Sequence, residues 1–287
     1  MAQNHFPSYH NASEPLFVLE PAMPYQTLYV TESDRVVTVT LNRPERRNAL
    51  NPQMVDELIA VIDSLARRTS GVMILTGRGP AFCAGLDLEH LKALVSRTPA
   101  EHRDDSQRVA RLFRSLYDLP LPTIAAVNGP AIAGGMGLAT ICDFTLSIVE
   151  AKFGYTEARI GFVPAMVSSF LTLQVGEKKA RDLLLTARLI SAVEAKEMGL
   201  INEVLNESGL MTRARQLAHQ LLLNSPESLR ATKKLLSEHT REQLDRQLAA
   251  AVDSNVGARS NAEFFEGISA FLEKRAPNWH SPKQKKA

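Results

Sequence analysis

The sequence predicts an α/β protein of strand–strand–helix units over residues 25–205, followed by a helical region over 206–276. Three observations lead there. β-Branched runs are followed by segments with apolar residues at 3–4 spacing. Two glycine-containing turns each follow a short apolar strand candidate. From about Glu207 to Lys274 the periodicity is helical, with breaks expected at Ser225-Pro226 and Gly257.

Taken in order, Thr27–Thr31 and Val36–Leu41 read as strands, the second being Val-Val-Thr-Val-Thr-Leu. A polar loop, 42–51, ends in Asn51-Pro52, an N-cap with proline at the first helical position. The helix that follows carries Met54, Val55, Leu58, Val61, Ile62 and Leu65 on one stripe. Val72–Thr76 is a short buried strand closed by Gly77-Arg78-Gly79-Pro80. Helices are expected over 86–95 and 107–116, strands over 123–127 and 144–148, then helices over 165–175, 177–186 and 192–198. A last strand is expected over 201–205. The C-terminal stripes, among them Leu235, Leu236, Leu244, Leu248, Phe264, Ile268, Phe271 and Leu272, need a surface to cover: the body, a neighbouring subunit, or both.

Composition narrows the function classes. A net charge of +2 creates no global field, and no basic stripe interleaved with aromatics is visible, so nucleic acid is not an expected partner. No run nears eighteen consecutive apolar residues, which argues against a membrane span. Residues 1–24 lack a basic segment followed by an apolar core and read as a mobile arm rather than a signal; 277–287 reads as a lysine-bearing tail. Cys83 and Cys142 lie far apart, as reduced buried thiols of a cytoplasmic protein would. Seven scattered histidines show no paired-ligand spacing, so no metal is expected.

The informative segments are Phe82-Cys83-Ala84-Gly85-Leu86-Asp87-Leu88 and Val127-Asn128-Gly129-Pro130-Ala131-Ile132-Ala133-Gly134-Gly135-Met136-Gly137-Leu138. Glycine permits close backbone approach, and a helix N-terminus offers N–H groups without intrahelical partners. Two such turns side by side suit one developing oxyanion, as acyl chemistry requires. Neither turn fits a P-loop or dinucleotide fingerprint.

These two segments resemble the signature loops of the enoyl-CoA hydratase/isomerase (crotonase) family. Leu41-Asn42-Arg43-Pro44 with Asn48-Ala49-Leu50 is similar to the family's CoA-binding loop, Lys152-Phe153-Gly154-Tyr155-Thr156-Glu157 to its second catalytic segment, and 194–201 and 266–275 to its later helices. The resemblance implies a crotonase-type spiral of ββα units acting on an acyl-CoA thioester. It implies a homo-oligomer, a trimer or dimer of trimers, built through the C-terminal helices. No cofactor is implied beyond the coenzyme A of the substrate. The resemblance assigns the oxyanion donors to the N–H groups of Ala84 and Gly134 and the acid/base to Glu157. It places Arg46, Ala49, Leu50, Ala84, Gly85, Leu86, Asp87, Gly134 and Lys274 at the CoA and substrate groove. Arg43, Arg47 and Arg78 are further cations for its phosphates.

Two-glutamate family members carry their first glutamate where this chain has Gly137. Glycine cannot act as a base, which leaves Glu157 alone. The expected reaction is hydration of a 2-enoyl-CoA in fatty-acid or related acyl-CoA catabolism. Isomerisation of a 3-enoyl-CoA by the single glutamate is the alternative, and acyl-CoA binding with little or no catalysis a second one. Phe162, Val163, Met166, Leu112 and Leu116 are expected to line an aliphatic tail. Asp143 is expected to be scaffold, and His90 a structural histidine.

Overall fold

The computed structural model describes residues 25–94 and 96–279; the expected N-terminal arm and most of the tail lie outside them. A six-stranded sheet forms the centre, in the order β1 (Leu28–Ser33), β2 (Val36–Leu41), β3 (Val72–Gly77), β4 (Thr123–Val127), β6 (Phe144–Ile148) and β9 (Glu203–Leu205). β1 and β2 pair antiparallel and the remaining neighbours parallel. Parallel strands need crossovers, and α1 (Pro52–Ala66) and the pair α2 (Leu88–Leu94) and α3 (Pro99–Asp118) supply the first two. The strand residues are correspondingly apolar on both faces: β4 is buried at every position.

A second, three-stranded sheet joins β5 (Ala131–Ile132), β7 (Lys152–Gly154) and β8 (Ile190–Ser191). It stands beside the main sheet and carries the functional loops. Between its strands run α4 (Gly134–Ile141) and, after a short 3₁₀ turn at Glu157–Ile160, α5 (Ala165–Thr186), which breaks at Gly176 as the sequence predicts. α6 (Ala192–Glu197) leads into β9.

Helix starts follow local chemistry. Asn51 Oδ1 accepts from Met54 N at 2.9 Å with Pro52 at the first turn, and Thr98 with Glu101 forms a capping box. That box begins α3 at Pro99, eight residues before the apolar stripe that predicted it.

The C-terminal region comprises α7 (Glu207–Leu222), α8 (Pro226–Arg259) and α9 (Ala262–Leu272). α8 runs through Gly257 instead of breaking there, because its ladder continues to Arg259 and Asn261 caps the next helix. Leu244, Leu248 and Val252 of α8 join the main core, while Phe264 and Ile268 of α9 pack with Leu91, Leu94 and Phe162. Leu235, Leu236, Phe271 and Leu272 stay exposed.

Candidate active site

The first turn is fixed by the loop before α1. Asn48 is fully buried at φ 55°; its side chain accepts from Arg43 N and donates to the carbonyls of Arg78 and Ala81. Arg43 donates to Ala49 O and pairs with Asp87 at 2.9 Å. Asp87 in turn accepts from Glu89 N at the start of α2. Leu50 then pairs with the turn as a parallel bridge: Leu50 N donates to Gly85 O at 2.7 Å, and Asp87 N donates to Leu50 O at 2.9 Å.

This pairing corrects one expectation. Ala84 N–H donates to Arg47 O at 3.0 Å and is therefore occupied. Leu86 lies between the two residues bonded to Leu50, so its own N–H faces the other way and has no acceptor among the described residues. The donor this turn leaves open is Leu86, not Ala84.

The second turn is held by β5 and β7. Ala131 pairs with Phe153, and Ala133 N donates to Gly154 O at 2.7 Å. Ala133 caps α4 at φ 53°, ψ −124°, a conformation costly for any residue with a Cβ. Gly134 opens the helix, so its N–H has no intrahelical acceptor and sits at the positive end of the helix dipole. The turns touch through Gly85, at φ +89°: a Cβ there would meet Ala133 Cβ at 2.9 Å and Gly134 N at 3.4 Å. Only glycine allows this approach.

β7 also delivers the carboxyl group. Three residues beyond it Glu157 begins the 3₁₀ turn, only 8% exposed, with Oε2 buried and unpartnered. Burial pushes its pKa from the ordinary carboxylate range up to about 7. Among the described residues no cation pairs with it, its neighbour Arg159 included. A carboxyl poised near neutrality can give and take a proton at physiological pH.

Glu157, Leu86, Gly134 and Ala84 line one cavity of about 250 Å³. Phe113, Val109, Phe162, Val163, Met166 and Val167 contribute to its apolar wall, as does Phe271 of α9. Leu112 and Leu116, expected to line the tail, are instead core residues at 0% and 1% exposure. Gly137 lies on the first turn of α4, where a Cβ would stand 2.6 Å from Val167 Cγ1. Among the described residues no second carboxyl lines the cavity.

Other expected groove residues are placed outside the lining. Leu50 is fully buried beneath Gly134 and Ala49 is 9% exposed. Gly85 and Asp87 act structurally, as described. Arg46 pairs with Glu89 at the surface, and Lys274 is exposed just beyond α9. Asp143 accepts from Thr123 N and pairs with Lys233, a scaffold role. His90 bonds Asp105 at 2.7 Å and does not line the cavity. Cys83 and Cys142 are buried free thiols whose pKa burial pushes up to about 12.

Several lining residues carry no signal in the sequence, Val167, Asn255 and Arg259 among them. Arg47 presents its exposed side chain at the cavity, and Val167 closes the wall over Gly137. Asn255 and Arg259 reach in from α8. Arg259 is 1% exposed, pairs with Asp105 at 2.7 Å and lies 5.8 Å from the Phe162 ring centre. Polar residues four apart on a helix ordinarily signal a solvated face, which hid this pair.

Open amides from two abutting turns, with one near-neutral carboxyl beside an apolar cavity, define a class: a protein that polarises an acyl carbonyl and moves a proton next to it. Comparison with known proteins agrees. The enoyl-CoA hydratase/isomerase family profile matches residues 31–283. A Thermus thermophilus protein provisionally named an enoyl-CoA hydratase is 45% identical over 250 residues, spanning 86% of this chain and 98% of that one. The enoyl-CoA hydratase EchA19 of Mycobacterium tuberculosis is 36% identical, over 88% of this chain and 96% of its own. The crystal structure of an enoyl-CoA hydratase/isomerase from Pseudoalteromonas atlantica superposes with a TM-score of 0.79 at 31% identity, covering 88% of this chain and all of that one. The chain belongs to the enoyl-CoA hydratase/isomerase family.

Proposed function

We propose that the protein is an enoyl-CoA hydratase, adding water reversibly across the double bond of a 2-enoyl-CoA thioester. The carrying observation is that Glu157, raised to about 7, lines the same cavity as the open N–H groups of Leu86 and Gly134. Those amides receive the thioester oxygen and stabilise the enolate as water adds at the β carbon. Protonated Glu157 gives its proton to the α carbon, and its unpartnered Oε2 takes the proton that the water loses. One carboxyl group thus closes the proton balance. Of the candidate cations for the CoA phosphates, Arg43 and Arg46 are held in ion pairs, whereas Arg47, Arg78 and Lys274 form none among the described residues. The test is loss of the conjugated thioester on incubation with crotonyl-CoA, abolished by Glu157→Gln; tight acyl-CoA binding without turnover would leave a binding protein.

Isomerisation of a 3-enoyl-CoA is a second reading, favoured by Val167 filling the place of a second glutamate at Gly137. Glu157 would then carry one proton from the α to the γ carbon. Faster turnover of a 3-enoyl-CoA than of crotonyl-CoA would select it.

The proposal extends to a cytoplasmic homo-oligomer, a trimer or dimer of trimers assembled through the 206–276 helices. Buried reduced thiols suit that compartment, and the exposed Leu235, Leu236, Phe271 and Leu272 suit a subunit interface. Light-scattering mass in solution tests it.

A further inference from the structure

The cavity is apolar around Glu157 but contains a buried polar pair that the chemistry above does not use. Asn255 and Arg259 both line it from α8, four residues apart and so on one helix face. They are 4% and 1% exposed. Asn255 Oδ1 and Arg259 Nε are buried and have no hydrogen-bond partner. Nη1 donates to His102 O, and Nη2 forms an ion pair with Asp105 Oδ2 at 2.7 Å without hydrogen-bond alignment.

α3 shows where this pair lies. Phe113 touches the Gly134 turn, since its Cζ would be 3.7 Å from a Cβ on Gly134. Asp105, which holds Arg259, is two turns away on the same helix, roughly 12 Å at the usual rise per residue. Val109 lines the cavity between them. The cavity therefore runs from the oxyanion turn past an apolar stretch towards Arg259.

We propose that Asn255 and Arg259 form a subsite for an oxygen at the far end of the acyl chain, so that the preferred substrate is an enoyl-CoA with an oxygenated tail. The Nε–H of Arg259 donates to that oxygen, and the Asn255 amide makes the second contact. Phe162 and Val109 enclose the methylenes between. A methyl-ended chain of the same length would bury both polar atoms unpaired, a cost that favours the oxygenated chain about tenfold or more. Asp105 already balances the Arg259 charge, so a hydroxyl and a carboxylate are the two forms to compare.

The inference rests on reading this cavity as the acyl pocket, and the experiment separates the two. Binding of saturated acyl-CoAs of matched length, ending in methyl, hydroxyl or carboxylate, is measured by calorimetry, which needs no turnover. Crotonyl-CoA turnover is measured in parallel and reads the chemistry alone. Either oxygenated ligand binding about tenfold tighter than the methyl-ended one supports the subsite, and the tighter of the two names its form. Asn255→Leu, which keeps volume and removes the amide, is expected to shrink that preference several-fold, leaving the part that the Arg259 Nε–H supplies. Equal binding of all three, or an undiminished preference in Asn255→Leu, overturns the subsite even if crotonyl-CoA is turned over.

Discussion

Val167 Cγ1 lies 2.6 Å from the point a Cβ on Gly137 would occupy, so a valine of α5 holds the ground that a glutamate on α4 would need. The bare glycine at 137 and the valine at 167 are one steric fact. Gly137→Glu alone should cost about 1–3 kcal/mol from overpacking and should not raise hydration. Gly137→Glu with Val167→Ala opens the space and is expected to raise crotonyl-CoA hydration, towards the roughly 10² a positioned base contributes. Chemical denaturation and kcat for the two variants check both halves.

The near-neutral Glu157 gives the two candidate reactions opposite pH dependence. Hydration requires it protonated, so kcat/KM for crotonyl-CoA should fall as pH rises through about 7. Isomerisation begins with proton removal, so kcat/KM for a 3-enoyl-CoA should rise through the same point. Profiles for both substrates on one preparation test this, and inflections well apart would mean another group is titrating.

The same shift has a consequence for stability. Glu157 holds its proton more tightly folded than unfolded, where its pKa is near 4.5. Its contribution is therefore fully present below 4.5 and is lost as pH rises to about 7. Glu157→Gln keeps the shape and cannot ionise. It should be inactive yet melt higher than the parent at pH 8, with the difference shrinking below the unfolded pKa. Melting curves at both ends of that window measure it.

What the sequence made legible was local. Asn51-Pro52 fixed the start of α1, and the order of strand and glycine turn placed Gly134 at a helix N-terminus. The open donor of the first turn was misplaced at Ala84, because which amide stays free depends on Leu50 and Arg47, more than thirty residues earlier. Val167, Asn255 and Arg259 were invisible for a related reason. Each reaches the cavity from a helix whose position is set by tertiary packing rather than by any neighbouring residue.

Arg43 and Asp87 tie that earlier loop to the oxyanion turn, with side chains 16% and 9% exposed. Removing one partner strands the other in a half-dry site, and Asp87 also caps α2. Asp87→Ala should cost about 3 kcal/mol and lower kcat more than it raises KM, since the aim of Leu86 N–H depends on the tie. Asp87→Asn, which keeps the cap oxygen, should recover part of the stability. Denaturation midpoints and steady-state kinetics for both variants decide it.

Ala133 stands at φ 53°, ψ −124°, where an L-residue is strained by about 1–3 kcal/mol, at the point from which Gly134 N–H faces the cavity. Ala133→Gly relieves the strain, while the freer unfolded chain takes back about 0.4–1 kcal/mol. A net rise in melting temperature is therefore expected. Activity should move the other way, because the Ala133 Cβ packs against Gly85 and limits how the two turns slide past each other. If instead the glycine variant melts lower, that contact outweighs the strain and the alanine is there for packing. Ala133→Val separates these cases: a branched side chain enlarges the contact and deepens the strain, so it should melt below the parent only where strain dominates.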